Sequence, residues 1–230
     1  MIYVTGDIHM PIDIEKLSMS YFPEQRKMTK NDYVIICGDF GGVWRGGKEE
    51  KQRLVQLDKK NFTTLFVDGN HENFNLLNNF DVIDYCGGKA HKIADGVYHL
   101  MRGQVFTIDG IRFFTMGGAS SHDMEYRTEG KSWWPEELPS NEEYDEARNN
   151  LDKYNWEVDY VVSHCAADSI QSEISDYYGH DKLTNFFEAV IKKELKYKHW
   201  YFGHYHYDCD VDDKHTCLYY RIIEIPPIRL

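Results

Sequence analysis

The 230-residue sequence predicts an α/β fold, and three observations carry that expectation. Short apolar runs alternate with stretches of helical period near the start of the chain and again after residue 140. Those runs are apolar throughout rather than at every second position, as in strands covered on both faces. Between the two halves, apolar pieces separated by Arg-Gly and Asp-Gly read as an antiparallel meander.

Taken in order, Ile2-Tyr3-Val4-Thr5 is a first buried strand closed by Gly6, and a short helix is expected over 12–20, after Pro11. Tyr33-Val34-Ile35-Ile36-Cys37 is the second strand, stopped by Gly38. A helix over 49–60 places Leu54 and Leu57 on one face and charges on the other. Thr63-Thr64-Leu65-Phe66-Val67 is the third strand, with a helix beginning near Asn73. In the meander, Arg102-Gly103 predicts a tight hairpin between Val97-Tyr98-His99-Leu100 and Gln104-Val105-Phe106-Thr107-Ile108. Asp109-Gly110 predicts a second hairpin into Ile111-Arg112-Phe113-Phe114-Thr115-Met116. The second half continues with a polar helix over 141–154, a strand over 158–162 and a helix over 182–195. It ends with the strand His199-Trp200-Tyr201-Phe202 and one closing strand over 217–225.

Composition narrows the function classes. Hydrophobic residues make up 42% and charged residues 28%, ordinary for a globular chain that buries one core. The formal net charge of −12 disfavours extended duplex nucleic acid and anionic membrane surfaces, both bound through Lys and Arg. It leaves a small phosphorylated substrate open, because bound divalent cations reverse the local sign. No apolar run approaches the roughly 18 residues that span a bilayer, and the first residues run straight into a strand, so a cytoplasmic location is expected. The five Cys are scattered, without a Cys-x-x-Cys pair, which fits free thiols in a reducing compartment.

The functional signal lies where the strands stop. Asp7 and His9 follow the first, Asp39 the second, Asn70 and His71 the third, His164 the fourth, and His204 with His206 the fifth. Carboxylate, imidazole and amide oxygen are the donors of transition-metal sites, and strand ends are where open α/β sheets bind ligands. Each turn alone has a structural reading as well, such as a helix cap at Asn70 or a surface His at His9. Five such turns, holding five of the eleven His, are hard to assign to chance. Glu72 is placed to hydrogen-bond His71 and hold its tautomer.

The series Asp7-Ile8-His9, Gly38-Asp39-Phe40-Gly41-Gly42, Gly69-Asn70-His71-Glu72, Ser163-His164 and Gly203-His204-Tyr205-His206 resembles the calcineurin-like metallophosphoesterase superfamily, in order and in spacing. The resemblance implies a four-layer α/β/β/α sandwich, two mixed sheets packed together with helices outside. It implies a single domain over 1–230. It also implies that Asp7, His9 and His206 hold one metal, that Asn70, His164 and His204 hold a second, and that Asp39 bridges them. His71 would act as general acid or stabiliser of phosphoryl charge, oriented by Glu72. The activity implied is hydrolysis of a phosphomonoester or small phosphodiester by a metal-bridging hydroxide. Such a donor set suits transition metals, Mn²⁺ first, with Fe, Zn²⁺, Ni²⁺ and Co²⁺ as alternatives.

The chain departs from the Ser/Thr protein phosphatases of that superfamily. Those carry an Asp-Arg pair after their Gly-Asp motif and an Arg before their Gly-Asn-His, where this sequence has Phe40-Gly41-Gly42-Val43 and Asp68. Arg45 and Arg127 are the candidate substitutes. The unpatterned stretch 119–140, with Arg127, Lys131, Trp133 and Trp134, is either a lid or recognition element that contacts phosphate or a surface loop pinned by its Trp. It is similar to small bacterial and phage members of the superfamily. A nuclease or nucleic-acid end phosphatase, stacking single-stranded bases or nucleotides on Trp133 and Trp134, is the alternative function. A metal-binding module without turnover is the third.

Overall fold

A computed structural model describes residues 1–175 and 177–227. Among the described residues, thirteen strands form two mixed sheets. The first has the order β13 (Ile222–Ile225), β1 (Ile2–Thr5), β2 (Tyr33–Ile36), β3 (Thr63–Phe66), β6 (Val97–Leu100), β5 (Gly88–Ala94), β4 (Val82–Tyr85). The second runs β11 (Cys209–Asp212), β12 (His215–Cys217), β10 (His199–Phe202), β9 (Tyr160–Ser163), β8 (Ile111–Met116), β7 (Gln104–Ile108).

Side-chain alternation builds the layers. Ile2, Val4, Ile35 and Leu65 of the first sheet pack against Phe106, Phe113, Val162 and Tyr201 of the second, making a dry central layer. The intervening residues point outward. Tyr3, Val34, Ile36 and Phe66 meet Leu57 of helix α1 (Lys48–Asp58) and Phe74 and Leu77 of α2 (Phe74–Leu77). Phe114, Val161 and Trp200 meet Tyr144, Ala147 and Leu151 of α3 (Asn141–Lys153), Ile170 of α4 (Asp168–Ile174) and Leu183 of α5 (Lys182–Phe186). The result is the expected α/β/β/α sandwich, because strands that are apolar on both faces need cover on both.

Register positions the site. β1, β2 and β3 pair in parallel with Thr5, Ile36 and Phe66 level with one another, so their C-terminal turns lie side by side. β8, β9 and β10 pair in parallel in the same manner, with Met116 opposite Ser163. No helix among the described residues is long and apolar enough to cross a membrane.

Three expectations from the sequence need correction. Arg102-Gly103 is not a hairpin: β6 lies in the first sheet and β7 in the second, and the chain crosses between them where Arg102 is drawn inward by Asp68. The closing strand is two strands in two sheets. It breaks because the Asp208 carboxylate accepts from the amides of Tyr219, Tyr220 and Arg221 and bends the chain there. Helix 12–20 contracts to one 3₁₀ turn, Ile14–Leu17. The helix at 182–195 forms, with its middle, Phe187–Ile191, wound as a π-helix.

Candidate metal centre

The strand-end turns converge. One ligand atom from each of Asp7, His9, Asp39 and His206 lies within 4.8 Å of the others. Nε2 of His9 is 3.1 Å from Asp39 Oδ2, and Nε2 of His206 is 3.3 Å from Asp7 Oδ2. On the other side of Asp39, His164 Nε2 lies 3.2 Å from Asp39 Oδ1 and 3.2 Å from Asn70 Oδ1. The His204 ring is 4.9 Å from that of His164. Asp39 thus turns one oxygen to each group, and all seven expected ligands are brought together.

Glycine makes this approach possible. A Cβ on Gly69 would lie 2.1 Å from Asp39 Oδ1, and one on Gly203 would lie 2.1 Å from Asp7 Oδ1. The backbone is strained to match. Of eight non-Gly residues with positive φ among the described residues, four are His9, Asp39, His204 and His206. Such conformations persist where the surroundings over-determine them, and they gather at functional sites.

Hydrogen bonds outside the cluster orient the rings. His9 Nδ1 is 2.8 Å from Asp13 Oδ2, and His164 Nδ1 donates to the Cys37 carbonyl at 2.8 Å, which leaves each Nε2 facing the cluster. His204 N donates to both oxygens of Asp7, and His71 N donates to Asp39 Oδ1 at 2.8 Å.

The electrostatics call for cations. Asp7 and Asp39 are 0% and 1% exposed, and among the described residues neither pairs with Lys or Arg. In the metal-free site a protonated His164 offsets these buried charges, and divalent ions would take that proton's place. Burial raises the Asp39 carboxyl, but His164, His9 and His71 together outweigh that and hold it well below the usual range. Burial lowers the His164 imidazolium, yet Asp39, with Asp7 and the Cys37 carbonyl, outweighs it and pushes the pKa up to about 10. Burial, then His164, hold His204 well below its usual range, in the neutral form that binds metal. Mixed imidazole, carboxylate and amide donors within a few ångströms therefore fit two divalent ions.

Other expected residues distribute differently. Glu72 does not orient His71. It is fully buried, and its Oε1 accepts from the amides of Phe40 at 2.7 Å and Gly41 at 3.4 Å, fixing the turn that carries Asp39. A carboxylate between two strand ends finds the orphan amides of the neighbouring turn first. Arg127 lies beside the site, where its charge helps depress His71, held by Asp123 at 2.6 Å and by the Ser132 carbonyl. Arg45 is exposed in a turn whose amides are tied to Glu50, and no hydrogen bond or ion pair among the described residues joins its side chain to the cluster. Trp134 is 2% exposed and packs edge-on to Trp44 at 5.2 Å, so it is not free to stack on a base.

Sequence reasoning missed three supports. Asp13, four residues after His9, is one. Lys16 is another: 3% exposed, its Nζ donates to the carbonyls of Gly6, Asp7 and Tyr219 and ties the first strand end to the C-terminal segment. A lysine between Ile14 and Leu17 was the available signal. Ser121 is the third, with its Oγ accepting from Asn70 Nδ2 at 3.4 Å and its amide donating to Glu137.

Comparison with protein-family models matches this chain over residues 1–208 to one described as calcineurin-like phosphoesterase. A search of curated proteins found no match.

Proposed function

This chain belongs to the calcineurin-like phosphoesterase family and is a metal-dependent phosphoric ester hydrolase, and we propose that it hydrolyses a phosphomonoester or a small phosphodiester at a two-metal centre. The observation that carries this is Asp39, which presents Oδ2 to His9 and Oδ1 to His164 and, among the described residues, pairs with no Lys or Arg. Asp7, His9 and His206 would hold one ion with Asp39, and Asn70, His164 and His204 the other. Divalent cations at such a site supply Lewis-acid chemistry, neutralising phosphoryl oxygens and lowering the pKa of water. The mixed imidazole, carboxylate and amide donors suit Mn²⁺, Fe, Zn²⁺, Ni²⁺ or Co²⁺, and Mn²⁺ is the ion we propose, with supply deciding among them.

The chain's own groups position the ester. His71 stands at the mouth of the cluster, its ring 5.4 Å from that of His9. Burial lowers its pKa, outweighing Asp39, so at neutral pH the imidazole is uncharged. A neutral His71 serves better as a hydrogen-bond donor to a phosphoryl oxygen than as a proton donor to the leaving group. Arg127 supplies positive charge beside it, which supports 119–140 as a recognition element fastened through Ser121 and Glu137.

The test is a panel of phosphomonoesters and phosphodiesters with protein stripped by chelator and then reloaded with Mn²⁺. Turnover is expected only after reloading. His71→Ala should keep its metal and lose about 10²–10³ in rate, the scale of removing one preorganised hydrogen-bond donor. Loss of metal from His71→Ala would instead make His71 a ligand.

A further inference from the structure

Two cavities open on the ligand cluster, at opposite sides of one tyrosine. The smaller, about 200 Å³, is lined by His204 together with Ser121, His122, Gln171 and Thr184. The larger, about 620 Å³, begins at His206 and runs among Tyr177, Tyr178, Tyr205 and Tyr207. Tyr178 lines both. Its ring is 5.3 Å from that of His204, 4.7 Å from His122 and 4.6 Å from Tyr205, so it stands as a partition against the cluster.

A phosphomonoester has one organic arm and needs one such space. Two spaces, one reached past each half of the ligand set, match a phosphorus atom that carries two arms. Their linings differ. The larger is aromatic, and its charged side chains are Glu173 and Asp210, which repel further phosphate groups. Tyr177 and Tyr207 are 74% and 60% exposed, large aromatic faces left open at the edge of a site. The smaller offers hydroxyl, amide and imidazole groups and the Asp181 carboxylate, which suit an uncharged polar arm that donates hydrogen bonds.

Resting on the hydrolase reading above, we propose that the substrate is a phosphodiester whose planar aromatic arm, of nucleoside type, sits among Tyr177, Tyr178 and Tyr207, with a smaller polar arm beside His122. The oxygen of water forms a bond to phosphorus, one phosphorus–oxygen ester bond breaks, and the released alcohol takes up a proton. A phosphomonoester and an alcohol result, with no other reactant.

Three probes on Mn²⁺-loaded full-length protein test this: thymidine 5′-(p-nitrophenyl phosphate), methyl p-nitrophenyl phosphate and p-nitrophenyl phosphate. The thymidine diester should exceed the methyl diester in kcat/KM by about tenfold, within the range of one stacked base, and both should exceed the monoester. Tyr177→Ala and Tyr207→Ala should each shrink the thymidine-to-methyl ratio, and Tyr177→Phe and Tyr207→Phe should restore it. By calorimetry, thymidine 5′-monophosphate should bind about tenfold tighter than methyl phosphate, and the alanine variants should narrow that gap as well. A preferred monoester, or ratios that the alanine variants leave unmoved, would overturn the two-arm substrate while leaving the hydrolase intact. No turnover of any probe by metal-loaded protein would overturn both.

Discussion

Asp39 and Asp68 stand at the ends of adjacent parallel strands, are equally buried at 1% exposure, and both hold histidines. Asp68 is closed by its own chain. Arg102 donates to its Oδ2 from Nε at 2.9 Å and Nη2 at 2.6 Å, and His99 Nε2 lies 3.0 Å from its Oδ1. Burial raises the Asp68 carboxyl, but Arg102 and His99 together outweigh it and hold it far below the carboxylate range. Asp39 has histidines and amides only, and its backbone sits at φ 44°. No member of the Asp68 group shares that strain. Two clusters of like composition are told apart by whether the fold supplies the cation. The Arg102 guanidinium is a permanent cation, so the Asp68 cluster is structural; the imidazoles around Asp39 can give up their protons to a metal, so that site is built for something that arrives.

Exchanging each carboxylate for its amide probes this contrast hardest. Asp39→Asn should lose about 10³-fold in rate, the scale of removing one preorganised electrostatic group, and most of its bound metal. Asp68→Asn should keep its metal content but lose stability, up to about 3 kcal/mol, because buried Arg102 is left with only Glu143, at 3.4 Å, to offset its charge. Chemical denaturation beside elemental analysis separates the two, and metal loss from Asp68→Asn with unchanged stability would erase the distinction. Next in size is Asp13→Asn, which removes the carboxylate behind His9. Metal affinity should fall about 10–100-fold with little change in unfolding midpoint of the metal-free protein, read by competition with a chelating dye.

The smallest effect concerns the closed cluster. His91 packs behind His99, with their Nδ1 atoms 2.9 Å apart, and burial, then His99, push its pKa down to about 4. A depressed histidine is neutral in the folded protein while the unfolded chain takes a proton below about 6.5, so its contribution is present at pH 7 and is lost as pH falls toward 4. Thermal melts of wild type and His91→Gln should therefore converge between pH 7 and pH 5. A constant difference across that range would remove His91 as the titrating group.

The open cluster was the legible one. Asp7, His9, Asp39, Asn70, His164, His204 and His206 all follow apolar strands at short, local offsets, and parallel pairing aligns strand ends without further information. The closed cluster was not legible, since Asp68, His91, His99 and Arg102 meet only through tertiary packing and no local spacing connects them. Glu72 failed for a related reason: adjacency to His71 in sequence said nothing about the unsatisfied amides of Phe40 and Gly41 across the strand gap. Strand boundaries were read well where both faces are apolar. They were missed at the C-terminus, where Asp208 breaks an otherwise continuous β pattern.

Anomalous diffraction from crystals of the Mn²⁺-reloaded protein tests the central claim most directly. Two peaks are expected about 3.5–4 Å apart, one on each side of the Asp39 carboxylate, with His9 and His206 at one and His164 and His204 at the other. A single peak, or two that do not share Asp39, would contradict it.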